Sequence, residues 1–188
     1  YAAAVERVKA AGATLVEVDI QPLLDCAQLL YQDAFVAERL AAIRGFAKSS
    51  PGAIHPVVRG IVNGANAFSA SDAFDAEYKR MDYARKASAL WGEIDALFLP
   101  TTPTVYRIAE LLAEPVALNS NLGFYTNFVN LLDMSALAIP AGFRDNGTGF
   151  GVTLVGPAWA DEYLLGLAEK YMAAGASFEA PALALEPR

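Results

Sequence analysis

Segments with helical periodicity far outnumber strand-like runs in this chain of 188 residues. Apolar residues recur at intervals of three and four along most of the sequence, which is the spacing of one helix face. About four short runs are instead rich in β-branched and apolar residues and end at turn-forming residues, which predicts strands. They cover residues 14–19, 96–99, 136–140 and 151–155. The alternation predicts an α/β fold in which about seven helices cover a small sheet.

So small a sheet leaves much apolar helix surface without a partner. We therefore expect either that the chain completes its core in an oligomer or that it is a piece of a larger protein. Residues 1–175 form the predicted domain. Residues 176–188 are rich in alanine and proline and are predicted to be a tail or linker.

Individual polar residues predict where helices begin and end. Ser71 is the predicted N-cap of a long helix that extends to about residue 94, and Asp161 is the predicted N-cap of the last helix. Asp33 lies where a short helical segment gives way to a second one over residues 33–47. Residues 122–132 are predicted to be mostly helical.

The charge of the chain excludes some partners. Its net charge is −7, and no cluster of basic residues offers the positive face that nucleic acid requires. The apolar runs are much shorter than the roughly 20 residues of a membrane-spanning helix, and no secretory signal opens the chain. The lone Cys26 excludes an internal disulfide and fits a reducing cytoplasm. An acidic protein that binds an anion must supply a local cation, which directs attention to individual arginines.

No residue pattern identifies a catalytic group or a metal site. His55 is the only histidine and is interpreted as a loop residue, and Cys26 lies among leucines as a structural thiol would. Ser49 and Ser50 follow a lysine, but Pro51 replaces the glycines that an oxyanion hole would use. The glycines at 147, 149 and 151 fall between two strand runs, which predicts a hairpin turn and not a phosphate-binding loop.

Tyr31 and Arg39 are the strongest binding candidates. If Asp33 breaks the helix between them, the arginine of the second segment and the phenol of the first can converge. A guanidinium grips a small carboxylate with two hydrogen bonds, and a phenol hydroxyl adds orientation. The alternative is that Arg39 pairs at the surface with Glu38 or Asp33.

Three segments in the second half of the chain carry longer motifs. Residues 95–103 read Asp-Ala-Leu-Phe-Leu-Pro-Thr-Thr-Pro, a strand that leads into a proline-rich loop. Residues 125–142 join a helical segment around an asparagine to an apolar strand, and residues 150–156 form a final strand. Together they resemble the C-terminal part of the amidase-signature family, which implies a mixed β-sheet covered by helices. The Gly-Thr-Gly at 147–149 departs from the family's usual Gly-Leu-Pro.

A narrower resemblance is carried by residues 30–39, 56–61 and 115–133, which are similar to the allophanate hydrolase branch of the family. It implies hydrolysis of allophanate, a small urea-like anion, with release of ammonia in urea degradation and with no metal or organic cofactor. It also implies substrate-binding roles for six residues. They are Tyr31, Arg39, Asn119, Gly123, Tyr125 and Asn130.

The family's catalytic residues are a lysine and two serines, one of them in a cis peptide and the other in a glycine- and serine-rich segment. No Gly-Ser-Ser-Gly pattern occurs in this sequence. We therefore expect the catalytic half to be missing from this chain, and the chain to be inactive alone. The alternatives are another amidase-signature enzyme with a different amide substrate, or a non-catalytic module that forms a homodimer through its apolar helices.

Overall fold

The computed structural model describes residues 1–175, so the predicted tail at 176–188 lies outside the described residues. The described part alternates helices with three strands, as the sequence predicts for an α/β fold. In chain order the elements are α1 (Ala2–Ala10), α2 (Gln21–Gln32), α3 (Val36–Ser49), α4 (Pro56–Asn63), α5 (Ala70–Ser88), β1 (Leu97–Pro100), α6 (Ile108–Ala113), α7 (Ala117–Leu122), α8 (Phe128–Leu131), β2 (Ser135–Phe143), β3 (Gly149–Gly156) and α9 (Asp161–Ala173).

The three strands form one sheet in the order β1-β3-β2. Both pairings are antiparallel, with Leu97 opposite Val155 and Ser135 opposite Gly156. The parallel pairing that a mixed sheet needs is therefore absent from residues 1–175. The predicted hairpin between β2 and β3 is confirmed, and Gly147 takes a φ of 78° in its turn, a conformation that glycine adopts without steric cost.

The strand predicted over residues 14–19 is wrong, because this segment pairs with no strand in the described chain. Leu15 and Val16 are 42% and 55% exposed. The β-propensity of such residues reflects packing on a half-buried pleated surface. Without an adjacent sheet edge, the composition of the segment alone does not produce a strand.

The cap of α5 lies two residues before the predicted one. Ser69, not Ser71, is the N-cap, and its Oγ accepts a hydrogen bond of 3.2 Å from the backbone N–H of Asp72. The Asp72 carboxylate in turn accepts the backbone N–H of Ser69 at 2.7 Å. This reciprocal capping box selects Ser69, because Ser71 has no acidic or amide residue three positions later. The hydrogen bonds to Ser69 also lower the pKa of Asp72.

The predicted N-cap of α9, Asp161, is instead the first helical residue, and Ala160 holds the cap position. The hydroxyl of Ser135 supplies the missing interaction. It accepts the backbone N–H of Ala160 at 3.1 Å and donates to the Asp161 carboxylate at 2.9 Å. The start of α9 is therefore fixed by a residue of β2 that is distant in sequence.

The helix predicted over residues 122–132 is divided into two short ones. α7 ends at Leu122 with Gly123 as its C-cap, and α8 does not begin until Phe128. The carbonyl of Gly123 accepts the backbone N–H groups of Thr126 and Asn127 at 2.9 and 2.8 Å, which closes a tight turn between the two helices. A Cβ at position 123 would overlap the side-chain amide of Asn127.

Helices cover both faces of the sheet. On one face α2, α5 and α8 pack against β1 and β3 around the fully buried Cys26 and Phe128. On the other face α1 and α9 pack around Val152 and Leu164. No helix within residues 1–175 is long and apolar enough to cross a bilayer.

Much apolar helix surface is left exposed, as the small sheet predicts. On α5 the side chains of Phe74, Tyr78 and Met81 lie one turn apart and are 64%, 63% and 56% exposed. On α6 the side chains of Ile108 and Leu112 are 79% and 69% exposed. Neither α6 nor α7 buries a single residue within the described chain.

Candidate functional site

The break at Asp33 brings Tyr31 and Arg39 together. Asp33 follows α2 in an extended conformation, with φ −129° and ψ −177°, and its carboxylate accepts the backbone N–H of Ala34 at 2.8 Å. The chain therefore turns before α3 begins at Val36. As a result the guanidinium carbon of Arg39 lies 4.8 Å from the centre of the Tyr31 ring, which is a cation–π contact.

The Arg39 guanidinium has no carboxylate partner within 4.0 Å among residues 1–175. Asp33, one of its two predicted alternative partners, instead forms an ion pair of 2.7 Å with Lys79 of α5. The hydrogen bond to Asp33 raises the pKa of Lys79. Stacking on an aromatic face leaves the N–H groups at the rim of a guanidinium available to an anion.

A cavity of about 260 Å³ lies beside Tyr31, between the end of α2, helix α4 and helix α7. Asn119 and Ser120 of α7 supply polar groups to its wall, and the rest of the wall is largely apolar. This combination of an apolar wall with a few polar groups is typical of small-molecule sites. Arg39 is not part of the wall itself, so Tyr31 is the residue that the cavity and the arginine share.

The other three predicted site residues lie elsewhere. Gly123 and Tyr125 belong to the turn between α7 and α8, where Tyr125 packs on the core around Cys26. Asn130 lines a second, more open cavity of about 580 Å³ beside Glu77 and Arg80. The structure thus brings Asn119 to Tyr31 and does not bring these three to it. Their binding roles stay predictions.

Sequence reasoning missed several residues of the cavity wall, among them Gly60, Gly64 and Ser120. One signal is present in the sequence. Gly60 and Gly64 are spaced one helical turn apart in a segment with helical periodicity, where glycine is unfavourable and calls for a reason. Ser120 has no such signal of its own, although it lies within residues 115–133, which carry the narrower resemblance.

The residues that sequence reasoning interpreted as structural make local contacts in the fold. His55 is exposed at the N-cap of α4, where its Nδ1 accepts the backbone N–H of Val57 at 3.3 Å. Cys26 is fully buried, and burial raises the pKa of its thiol to about 11, against a smaller lowering effect of Arg80. Ser49 ends α3 and hydrogen-bonds to the carbonyl of Phe46. Within residues 1–175 no group of three or more metal-ligating side chains occurs.

The class of protein follows from comparison with known families. Residues 1–165 match the amidase family, and the chain belongs to it. The family resemblance stated from the sequence is thereby confirmed, and the helices and the small sheet described above confirm the α/β fold class.

Particular relatives narrow this similarity. The chain is 43% identical over 173 residues to urea amidolyase of Saccharomyces cerevisiae and 44% identical to that of Lachancea kluyveri, with 91% of this chain covered in each case. It is similar in structure to allophanate hydrolase of Kluyveromyces lactis, with a TM-score of 0.90, 41% identity and 97% of this chain covered. It spans only 9% and 10% of the two amidolyases and 30% of the solved hydrolase. In these relatives the matching region is part of a larger chain.

Proposed function

We propose that this chain is the C-terminal part of the amidase domain of an allophanate hydrolase and that it binds the carboxylate of the substrate. The reaction is hydrolysis of allophanate with release of ammonia, in the cytoplasmic breakdown of urea. The names of the relatives, urea amidolyase and allophanate hydrolase, support this substrate class.

The contact between Arg39 and Tyr31 is the observation on which the proposal rests. Arg39 is half-buried, stacks on the Tyr31 ring and keeps its hydrogen-bond donors clear of the carboxylates of the described chain. In a protein with a net charge of −7, one cation held in this way attracts a small anion that the overall field repels. The guanidinium binds the carboxylate with two hydrogen bonds, and the Tyr31 hydroxyl orients the rest of the molecule.

Acyl transfer itself is assigned to residues outside this chain. The sequence contains no Gly-Ser-Ser-Gly segment, and the Cys26 thiol is buried with a raised pKa, which makes it a poor nucleophile. The role of this chain is to hold the substrate carboxylate so that the amide carbon is presented to a serine of the longer polypeptide.

The same proposal accounts for the exposed apolar side chains of α5 and α6. We assign this surface to the remainder of the longer polypeptide, because the solved relative is more than three times the length of the matching region and exposed patches of this kind mark interfaces. Light scattering on the full-length protein and on residues 1–188 tests this assignment. A soluble full-length protein and an aggregating fragment support it. A stable dimer of the fragment would favour the homodimer instead.

The nearest rival is an amidase that acts on a different amide. The chain is also 36% identical over 121 residues to a glutamyl-tRNA(Gln) amidotransferase subunit from Thioalkalivibrio sulfidiphilus, but that match covers 61% of this chain. The two functions differ in what they require of Arg39. A cation at this position would bind a substrate that carries a small carboxylate and would have no such role for an uncharged amide.

Substitution of Arg39 in the full-length protein tests the proposal. We expect Arg39→Ala to raise the KM for allophanate by about tenfold to a hundredfold, because a charged hydrogen bond is lost, and to leave kcat little changed. Arg39→Lys keeps the positive charge but cannot form two parallel hydrogen bonds with a carboxylate. Its KM is therefore expected to lie between those of the wild type and Arg39→Ala. Arg44→Ala is the matched control, since Arg44 lies on the same helix and is exposed. An unchanged KM in Arg39→Ala refutes the proposal.

A further inference from the structure

Gly60 occupies the interior of α4 without a packing reason. Glycine destabilises a helix interior relative to alanine, because it loses the most conformational freedom on folding. A close approach of neighbouring atoms would justify it, but a Cβ at position 60 would meet no atom within 4 Å. Its φ is also not in the left-handed region. Neither backbone conformation nor crowding within the described chain accounts for this glycine.

The open space beside Gly60 adjoins the candidate site. Gly60 and Gly64 lie one helical turn apart, and both line the cavity that Tyr31 and Asn119 share. A Cβ at position 64 would also meet nothing within 4 Å. Side chains at these two positions would reduce a cavity of only about 260 Å³.

We infer that Gly60, with Gly64 one turn later, sets the size of the ligand that the cavity accepts. This inference rests on the proposed function and adds that the α4 side of the cavity determines which substrates fit. Tyr31 and Arg39 hold the carboxylate, and the uncovered backbone of α4 leaves room for the urea-like end of the same small molecule. A bulkier residue at position 60 would exclude that end without disturbing the anion-binding contact.

Gly45 provides a matched control. It lies in the interior of α3, is exposed, and would likewise have no atom within 4 Å of an added Cβ, but it does not line the cavity. Gly45→Ala and Gly60→Ala therefore gain the same helix propensity. They differ in whether the added methyl group enters the cavity.

The experiment compares Gly60→Ala, Gly60→Leu and Gly45→Ala in the full-length protein by thermal unfolding and by the KM for allophanate. We expect Gly60→Ala and Gly45→Ala to keep or raise the melting temperature, since alanine is the better helix former. The KM should rise about tenfold in Gly60→Ala and further in Gly60→Leu, because one extra methylene in a hydrophobic pocket has an effect of this size. Gly45→Ala should leave the KM unchanged.

Two results would overturn the inference. If the KM of both Gly60 variants matches that of the wild type, position 60 does not limit the ligand. If the melting temperature falls from glycine to alanine to leucine, another part of the polypeptide fills this space, because overpacking destabilises a core. Arg39→Ala in the same assay separates the two proposals. A raised KM there, beside unchanged Gly60 variants, contradicts the size limit and leaves the proposed function standing.

Discussion

Lys79 Nζ lies 2.7 Å from the carboxylate of Asp33, so Asp33 is paired with α5 while Arg39 contacts Tyr31. Asp33 also accepts the backbone N–H of Ala34 where α2 gives way to α3. With Asp33 paired to a cation of α5, the guanidinium of Arg39 stacks on Tyr31. Three helices thus cooperate to present one arginine to the candidate site.

Removing the charge of Asp33 tests this arrangement. Asp33→Asn keeps an oxygen that can accept the N–H of Ala34 but removes the partner of Lys79. Since Arg39 does not pair with Asp33, we expect the KM for allophanate to change by less than about twofold. Steady-state kinetics of the full-length variant measures it. A tenfold change in KM would show that Asp33 and Arg39 interact directly.

The N-cap of α5 can be tested with two neighbouring serines. Ser69→Ala removes the oxygen that accepts the Asp72 N–H and should lower the free energy of unfolding by about 1 kcal/mol. Ser71→Ala removes only a hydroxyl contact with Ser69 and should have a smaller effect. Urea denaturation of both variants compares them. If both variants lose the same free energy of unfolding, or if Ser71→Ala loses more, Ser69 is not the N-cap of α5.

Capping shows why some boundaries are not predictable from local sequence. Both Ser69 and Ser71 are good N-cap residues, and the pairing of Ser69 with Asp72 is the signal that decides between them. For α9 no local signal exists, because its start is held by Ser135 of β2, which lies 26 residues from Asp161. Interactions of this range depend on the sheet register and not on the residues next to the helix.

Two glycines of β3 should respond differently to alanine. A Cβ at Gly156 would lie 3.1 Å from the Ala160 side chain and 3.3 Å from that of the fully buried Leu164. We expect Gly156→Ala to destabilise the protein by about 1–3 kcal/mol through overpacking. Gly149→Ala is the control, since a Cβ there meets nothing within 4 Å. Thermal unfolding compares the two, and an equally stable Gly156→Ala would contradict the packing of α9 on the sheet.

The thiol of Cys26 should be unreactive in the folded protein. Burial raises its pKa from 9.0 to about 11. Because of the raised pKa, the Cys26 thiol stays protonated to a higher pH in the folded state than in the unfolded state. This contribution to stability is therefore fully present below pH 9 and is lost as the pH rises toward 11.

Alkylation with iodoacetamide at about pH 8, below the ordinary pKa of a thiol, followed by mass spectrometry of the Cys26 peptide, measures this protection. We expect labelling only after addition of denaturant. Cys26→Ala should lose less stability than the wild type between pH 9 and pH 11, the interval that separates the two pKa values. Rapid labelling of the native protein would contradict the burial of α2 against the sheet.

The candidate site is predictable where the signal is local. The helix break at Asp33 predicts that Tyr31 and Arg39 can meet, and they do. The cavity beside them is not predictable, since its wall combines α2, α4 and α7, which are far apart in sequence. The strand prediction for residues 14–19 is wrong for the same reason. A strand needs a neighbouring sheet edge, and the composition of the segment does not reveal one.

A double-mutant cycle on Tyr31 and Arg39 tests the central claim most directly. The KM for allophanate is measured in the full-length wild type, Tyr31→Phe, Arg39→Ala and the double variant. If both side chains bind the same anion, their effects on binding free energy will be non-additive by about 0.5–3 kcal/mol. Strictly additive effects, or a wild-type protein that does not hydrolyse allophanate, would contradict the account.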